Sequence, residues 1–149
     1  MNMLDSTALI VHLVATAAMV GLIWFVQVVH YPLFAAVGAD GFAAYEARHQ
    51  TLTSFVVGPP MALEGVTALW LVFDPPAAVG RGWPLAGLLV LGVVHASTVF
   101  LQVPQHAALS HGFDAARARR LVRTNWVRTA GWSIRGIIGA VMVGQALTH

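Results

Sequence analysis

The 149-residue chain contains no cysteine and no lysine, and only 9% of its residues carry a formal charge. Without cysteine, disulfides, thiolate metal sites and iron–sulfur clusters are excluded. Without lysine, a Schiff base to a carbonyl cofactor such as retinal is excluded, and all eight basic residues are arginine. The few charges are also unevenly placed. None occurs between Asp5 and Asp40 or between Gly82 and Leu109, while Glu64 and Arg135 stand alone in two further apolar runs. An ordinary soluble domain is about a quarter charged.

What is present is apolar: 58% of the residues are hydrophobic and the mean hydropathy is +0.73. The apolar runs are each long enough for the roughly 20 residues that cross a bilayer core. They predict an all-α integral membrane four-helix bundle, a single domain over 1–149 with spans near 7–34, 51–73, 83–109 and 126–147. The opening MNMLDSTALI lacks a basic leader, and the run after it exceeds a signal core of about 7–15 residues, so it reads as a retained first span.

The arginines set an expected orientation. Arg117, Arg119, Arg120, Arg123 and Arg128 crowd the connection between spans three and four, and Arg48 lies in the connection between spans one and two. Asp74 and Arg81 cancel between spans two and three. Positive charge is retained inside. The Arg-rich end is therefore expected in the cytoplasm of a bacterial-type inner membrane, with both termini outside. The cluster reads as a topology signal that also touches anionic headgroups. Nucleic acid is not an expected partner, because the basic residues occupy one juxtamembrane stretch.

A polar ending is written twice. FVQVVHYPL (Phe25 to Leu33) and FLQVPQHAAL (Phe100 to Leu109) share Phe-x-Gln-Val followed by a histidine, His30 or His106. Each is followed by Gly-Phe-x-Ala-x-x-Ala-Arg, at Gly41 to Arg48 and at Gly112 to Arg119. The spacing suggests an internal repeat of two parallel helical hairpins; chance similarity in Ala-rich helices is the alternative. A duplicated pair of spans would carry both endings to one face of the membrane.

Helical phase groups the polar residues into stripes. Gln27 and His30 share a face on span one with His12. His95, Gln102 and His106 share one on span three, and Asn125, Arg128, Trp132 and Arg135 share one on span four. His49 and Glu64 are roughly in phase on span two, although Gly58-Pro59-Pro60 is expected to kink it. Such stripes face inward, because a polar group exposed to lipid costs several kcal/mol. Glu64, Arg135 and His95 are expected together near mid-membrane, either as an ion pair fixing register or as groups that tune a site or relay protons.

Toward the Arg-rich end the phase gathers His30, His49 and His106 as candidate metal ligands. Gln27 and Gln102 are expected to accept their second N–H groups. Asn125 and Arg128 are candidates to orient substrate or oxygen, with Glu64 and Arg135 tuning the site. Trp126 and Trp132 are the aromatics placed against a ligand, and His95 is added to the cofactor-binding set. Trp24, Trp70 and Trp83 read as interface aromatics. Histidine donors without cysteine suit iron, copper, zinc or haem b. Substrate or proton handling and a purely structural role are the alternatives, since no compact ligand motif such as His-Glu-x-x-His occurs. His111 and His149 receive no role.

LQVPQH followed by TNWVRTAGWSIRG resembles a family of small four-span membrane proteins of unknown function whose named members are anthrone oxygenases. The likeness lies in chain length, in Val103-Pro104 and in the Trp132-to-Arg135 pattern, with His106 in place of the asparagine that follows Val-Pro in the family. It implies a four-helix membrane bundle and an oxidative role on an aromatic or quinone-like substrate. In architecture alone the chain is also similar to four-span haem-binding protoporphyrinogen oxidases.

Two functions follow as expectations. One is a membrane-embedded oxidoreductase using a His-ligated metal or haem on a small hydrophobic substrate. The other is a non-catalytic binder or carrier of a metal or small ion. The expected partners are the lipid bilayer and that small substrate, with a homo-oligomer as a further option. Single cysteines introduced into this cysteine-free background test the topology: a cysteine near residue 112 should be shielded from an impermeant maleimide in intact cells, and one at either terminus should be labelled. Labelling in the reverse sense would overturn the expected orientation.

Overall fold

In a computed structural model, residues 3–148 are described; Met1, Asn2 and His149, the last without an assigned role, lie outside the described residues. Helix α1 covers Met3–Phe25 and continues through a π-helical turn, Val26–His30, and a 3-10 turn, Pro32–Ala36. Helix α2 covers Ala39–Phe73. Helix α3 covers Gly82–Ser97 and runs through a second π-helical turn, Thr98–Gln102, into α4, Val103–Leu109. Helix α5 covers Ala115–Thr148. They form four spans, Met3–Ala36, Ala39–Phe73, Gly82–Leu109 and Ala115–Thr148, each long and apolar enough to cross a membrane.

The second and fourth spans begin at Ala39 and Ala115 rather than near residues 51 and 126. Apolar length measures only the lipid-facing part, and a helix continues past it wherever polar residues such as Glu46 and Arg120 meet other protein or water. Asp114 starts α5: its Oδ1 accepts the backbone N–H groups of Ala116 (2.8 Å) and Arg117 (2.9 Å). Those two bonds, that to Arg117 foremost, hold the Asp114 carboxyl below the usual carboxylate range. α2 passes through Pro59 and Pro60 as one continuous helix. Neighbouring groups can take up the bonds that proline removes.

The two Phe-x-Gln-Val segments overlap the two π-helical turns, and each turn ends two residues before a proline, Pro32 or Pro104. A proline ring clashes with the carbonyl four residues earlier. Widening the preceding turn relieves that crowding, and the Tyr31 N–H bonds Val26 O, five residues back, at 3.0 Å. The two phenylalanines of the repeated Gly-Phe, Phe42 and Phe113, meet edge to face with centroids 5.0 Å apart.

The spans form a ring. α1 packs on α2 and α5, and α3 packs on α5 and α2, leaving spans one and three, and two and four, on the diagonals. Three apolar layers fill the interior: Leu9, Leu71, Ile138 and Met142 near the termini; Met19, Ile23, Val94 and Trp132 in the middle; and Tyr31, Phe34, Phe42, Leu109 and Leu121 at the opposite end. Outward positions such as Ile10, Phe55, Leu89, Phe100 and Ile137 are apolar and exposed, as lipid-facing positions must be. Gly131 lets α5 approach α3, because a β-carbon there would overlap Val94 Cγ2. Small residues at crossings allow such close packing in membranes.

One buried polar network joins all four spans. Arg135 Nε donates to Glu64 Oε1 (2.7 Å), as does Thr16 Oγ1 (2.9 Å), and the Trp132 indole N–H donates to Glu64 Oε2 (2.9 Å). Arg135 Nη1 donates to the carbonyl of Gly87 on α3, and Nη2 lies 3.5 Å from His12 Nε2. His12 Nδ1 in turn meets Thr67 Oγ1 at 2.8 Å. The expected Glu64–Arg135 pair is present, but the histidine beside it is His12. His95 bonds the Leu91 carbonyl of its own helix (2.9 Å) and lies outside this network and outside the site described below.

Removing one member of a buried pair strands the other charge, at about 3–5 kcal/mol. Glu64→Gln and Arg135→Leu should each lower unfolding stability strongly, and the double variant by less than their sum. Additive losses in detergent unfolding would show that the pair carries no coupling.

Candidate metal centre

Three spans deliver imidazoles to the end of the bundle marked by the π-helical turns. The site's centre is a residue the helical stripes do not single out. Glu46 is fully buried on α2, three residues before His49. Its Oε1 contacts His106 Nδ1 at 2.6 Å and accepts a bond from Gln50 Nε2 at 3.1 Å. Its Oε2 is buried without a hydrogen-bond partner. A carboxylate oxygen left bare in a buried site carries a full desolvation cost, which a cation at that oxygen would offset.

Glu46, His49 and His106 can hold a metal ion: each presents a ligand atom, and these atoms lie within 4.8 Å of one another. The proposed third ligand, His30, is displaced by one position. Its Nε2 lies 2.8 Å from His49 Nδ1, so it abuts the trio of Glu46, His49 and His106 from outside. Thr53 Oγ1 approaches the same His49 nitrogen at 3.0 Å. On the other flank, the Tyr31 hydroxyl bonds His106 Nε2 at 2.9 Å. Both nitrogens of His106 are thus fixed, one toward the carboxylate and one toward the phenol. A hydrogen-bond partner on the far ring nitrogen orients a histidine that binds a metal.

Gln27 and Gln102 do not serve the imidazoles. The Gln27 amide donates to the Val122 carbonyl (3.1 Å) and accepts from Asn125 Nδ2 (3.0 Å) and Thr129 Oγ1 (3.3 Å). Gln102 donates to Thr124 Oγ1 (3.2 Å) and accepts from Ser97 Oγ (3.1 Å). Each glutamine sits in a π-helical turn and ties it to α5. The wider turn carries its side chain out of the phase of a regular helix, so the stripe through Gln27 and His30 does not survive.

Asn125 is buried between Gln27 and Arg128, its Oδ1 accepting from Arg128 Nη1 at 3.1 Å, and it reaches no open space around the histidines. Arg128 does. With Gln50, Thr53, Gln102, His49 and His106 it lines a cavity of about 240 Å³ beside the cluster. Its guanidinium lies 5.2 Å from the centroid of buried Trp132. Trp132 therefore bridges two regions, carrying Arg128 on its ring and Glu64 on its N–H. Glu64 and Arg135 belong to the mid-bundle network and touch none of the three donors. Trp126 is half-exposed on the outside of α5, edge-on to Trp24 at 5.7 Å, away from the cavity.

Glu46 had one readable signal. Glu-x-x-His places carboxylate and imidazole on one helical face, the spacing used by carboxylate-bridged metal sites in helical bundles. Gln50, Tyr31 and the unsatisfied Oε2 had none, because they depend on contacts between spans. Comparison of the chain with family models, curated proteins and solved structures finds no match. Fold and site alone therefore define the class: a four-helix membrane-type bundle with a buried His–His–Glu cluster at one end.

Gln27→Leu should strand the Asn125 amide and lower thermal stability by about 1–3 kcal/mol. Gln102→Leu, which takes the acceptor from the buried Ser97 hydroxyl while Thr124 keeps the Arg120 carbonyl, should cost a similar amount. A Gln27→Leu protein that melts with wild type would show that the π-helical turn is held by packing alone.

Proposed function

We propose that the protein is a membrane-embedded metal oxidoreductase in which Glu46, His49 and His106 hold one transition-metal ion. The observation that carries this reading is the buried Glu46 carboxylate, whose Oε1 meets His106 and whose Oε2 has no partner, clustered with His49 and His106. Two histidines and one carboxylate are the donor set of non-haem ferrous oxygenases, and they also suit zinc and manganese. The cavity of about 240 Å³ favours a bare ion over haem, since pockets for sizeable organic ligands run to about 300–1,000 Å³. Bound iron would supply oxidative chemistry, with dioxygen as the oxidant.

The chain's own residues have distinct tasks. Tyr31 fixes the ring of His106, and His30 fixes that of His49. Gln50 bonds both Glu46 and Ser110 Oγ (2.7 Å), which anchors the carboxylate to span three. Arg128 supplies a cation on the cavity wall, suited to a phenolate or quinone oxygen of a small aromatic substrate. The Trp132 ring 5.2 Å from its guanidinium helps to hold that cation in place. The arginine-rich flank is the cytoplasmic one on this reading, so the metal centre is loaded from the cytoplasm.

A metal or small-ion carrier is the second reading. It is favoured by the polar line from the cavity through Arg128 and Trp132 to Glu64 and His12 at mid-bundle. Metal-dependent uptake into vesicles by the wild-type protein would support it over the oxidoreductase.

Protein purified without chelators should hold about one metal ion per chain by elemental analysis. Glu46→Gln, His49→Ala and His106→Ala should each remove most of it. Tyr31→Phe and His30→Ala should weaken binding about 10–100-fold. Ligand imidazoles must be unprotonated and the carboxylate ionised, so occupancy should fall as pH falls. A folded, metal-free protein that takes up no iron, zinc or manganese would sink the assignment.

A further inference from the structure

A second recess lies on the outside of the same end of the bundle, between the close of span one and the start of α5. It has a volume of about 390 Å³. Ala35, Ala115 and Ala118 leave the room, Trp126 and Phe113 supply aromatic sides, and Arg119 and Arg123 stand at its edge. Tyr31 separates it from the histidine cavity, whose lining it also joins.

The charges make this groove specific. Arg119 and Arg123 are one helical turn apart, a spacing at which like charges repel. Both are exposed; among the described residues Asp114 pairs with Arg117, at 3.9 Å, and feels the charge of Arg119 more weakly, while neither Arg119 nor Arg123 has a carboxylate within salt-bridge distance. Two guanidinium forks on one face match the oxygens of a phosphate, which they can bond in pairs. The apolar floor continues onto the outer surface of a span that is long and apolar enough to lie in lipid. Trp126, half-exposed against Trp24, has the amphipathic character of a residue at headgroup depth.

We propose that this groove binds an anionic phospholipid, with its phosphate between Arg119 and Arg123 and the upper part of one acyl chain over Ala35 and Ala118. The two guanidinium groups relieve their mutual repulsion on the phosphate, whereas a zwitterionic lipid brings a cation of its own beside the arginines and is held less tightly. The site stands apart from the metal ligands, so lipid binding does not require a loaded metal centre.

Native mass spectrometry of the detergent-purified full chain, titrated with phosphatidylglycerol or with phosphatidylcholine of the same acyl composition, tests it. Wild type should retain one phosphatidylglycerol with a preference of roughly tenfold or more. The double variant R119Q/R123Q should lose that preference with metal content unchanged. Ala35→Phe, which fills the groove and leaves every arginine in place, should lose the bound lipid. The control R117Q/R120Q, which removes equal charge from the same helix outside the groove, should keep it, and inorganic phosphate should not displace the lipid. Equal retention of the two lipids by wild type would overturn the proposal, as would an equal loss in the R117Q/R120Q control or binding that survives Ala35→Phe.

Discussion

Glu64 and Arg135 lie almost wholly buried inside an apolar bundle, and the arrangement of the spans depends on satisfying them. Neither charge is tolerable alone in a hydrocarbon environment, where water cannot solvate it. Glu64 on span two draws Thr16 from span one and Trp132 and Arg135 from span four, while Arg135 reaches the Gly87 carbonyl on span three. A rotation or one-residue slip of any span would leave one of these groups unpaired. Apolar packing alone allows many registers of smooth helices; this network admits few.

The same constraint acts differently at the Arg-rich end. There the helices are perturbed locally, with a π-helical turn before Pro32 and another before Pro104. Each turn holds a glutamine that is tied to α5, so local strain becomes a contact between spans. With both turns anchored, Tyr31 and His106 converge, and His106 meets Glu46. The candidate metal centre is in this sense a product of the two proline-bounded turns. Trp132 lies between the two polar regions, in contact with both. It gives the structural pair and the candidate site a shared rigid element.

How much could be read in advance differs by residue. Glu64 and Arg135 were legible because a lone charge in an apolar run must find a partner, and each run offered one. His49, His106 and Arg128 were legible because their phase places them inward and their position places them at one end. His30 was assigned a ligand's role and instead supports His49, a difference of one hydrogen bond that phase cannot resolve. His95 failed for another reason: a helical histidine can satisfy its N–H on the carbonyl one turn back, as His95 does on Leu91. Glu46 was hidden by its neighbours Tyr45, Ala47 and Arg48, which read as a connection and not as the buried start of a helix.

The sequence by itself determined the spans, their number and the polar residues they bury, because transfer into lipid depends on composition over about 20 residues and hardly on context. Proline was a poorer guide: Pro32 and Pro104 each follow a π-helical turn, whereas Pro59 and Pro60 lie inside an uninterrupted α-helix. Only the tertiary structure decided which polar groups meet. Hydrogen bonds act over about 3 Å, and a π-helical turn shifts every later side chain around the helix, so partners across spans depend on rotations that no single span encodes. That is why the Glu46 carboxylate, the Tyr31 hydroxyl and the amides of Gln27 and Gln102 took their places only in the assembled bundle.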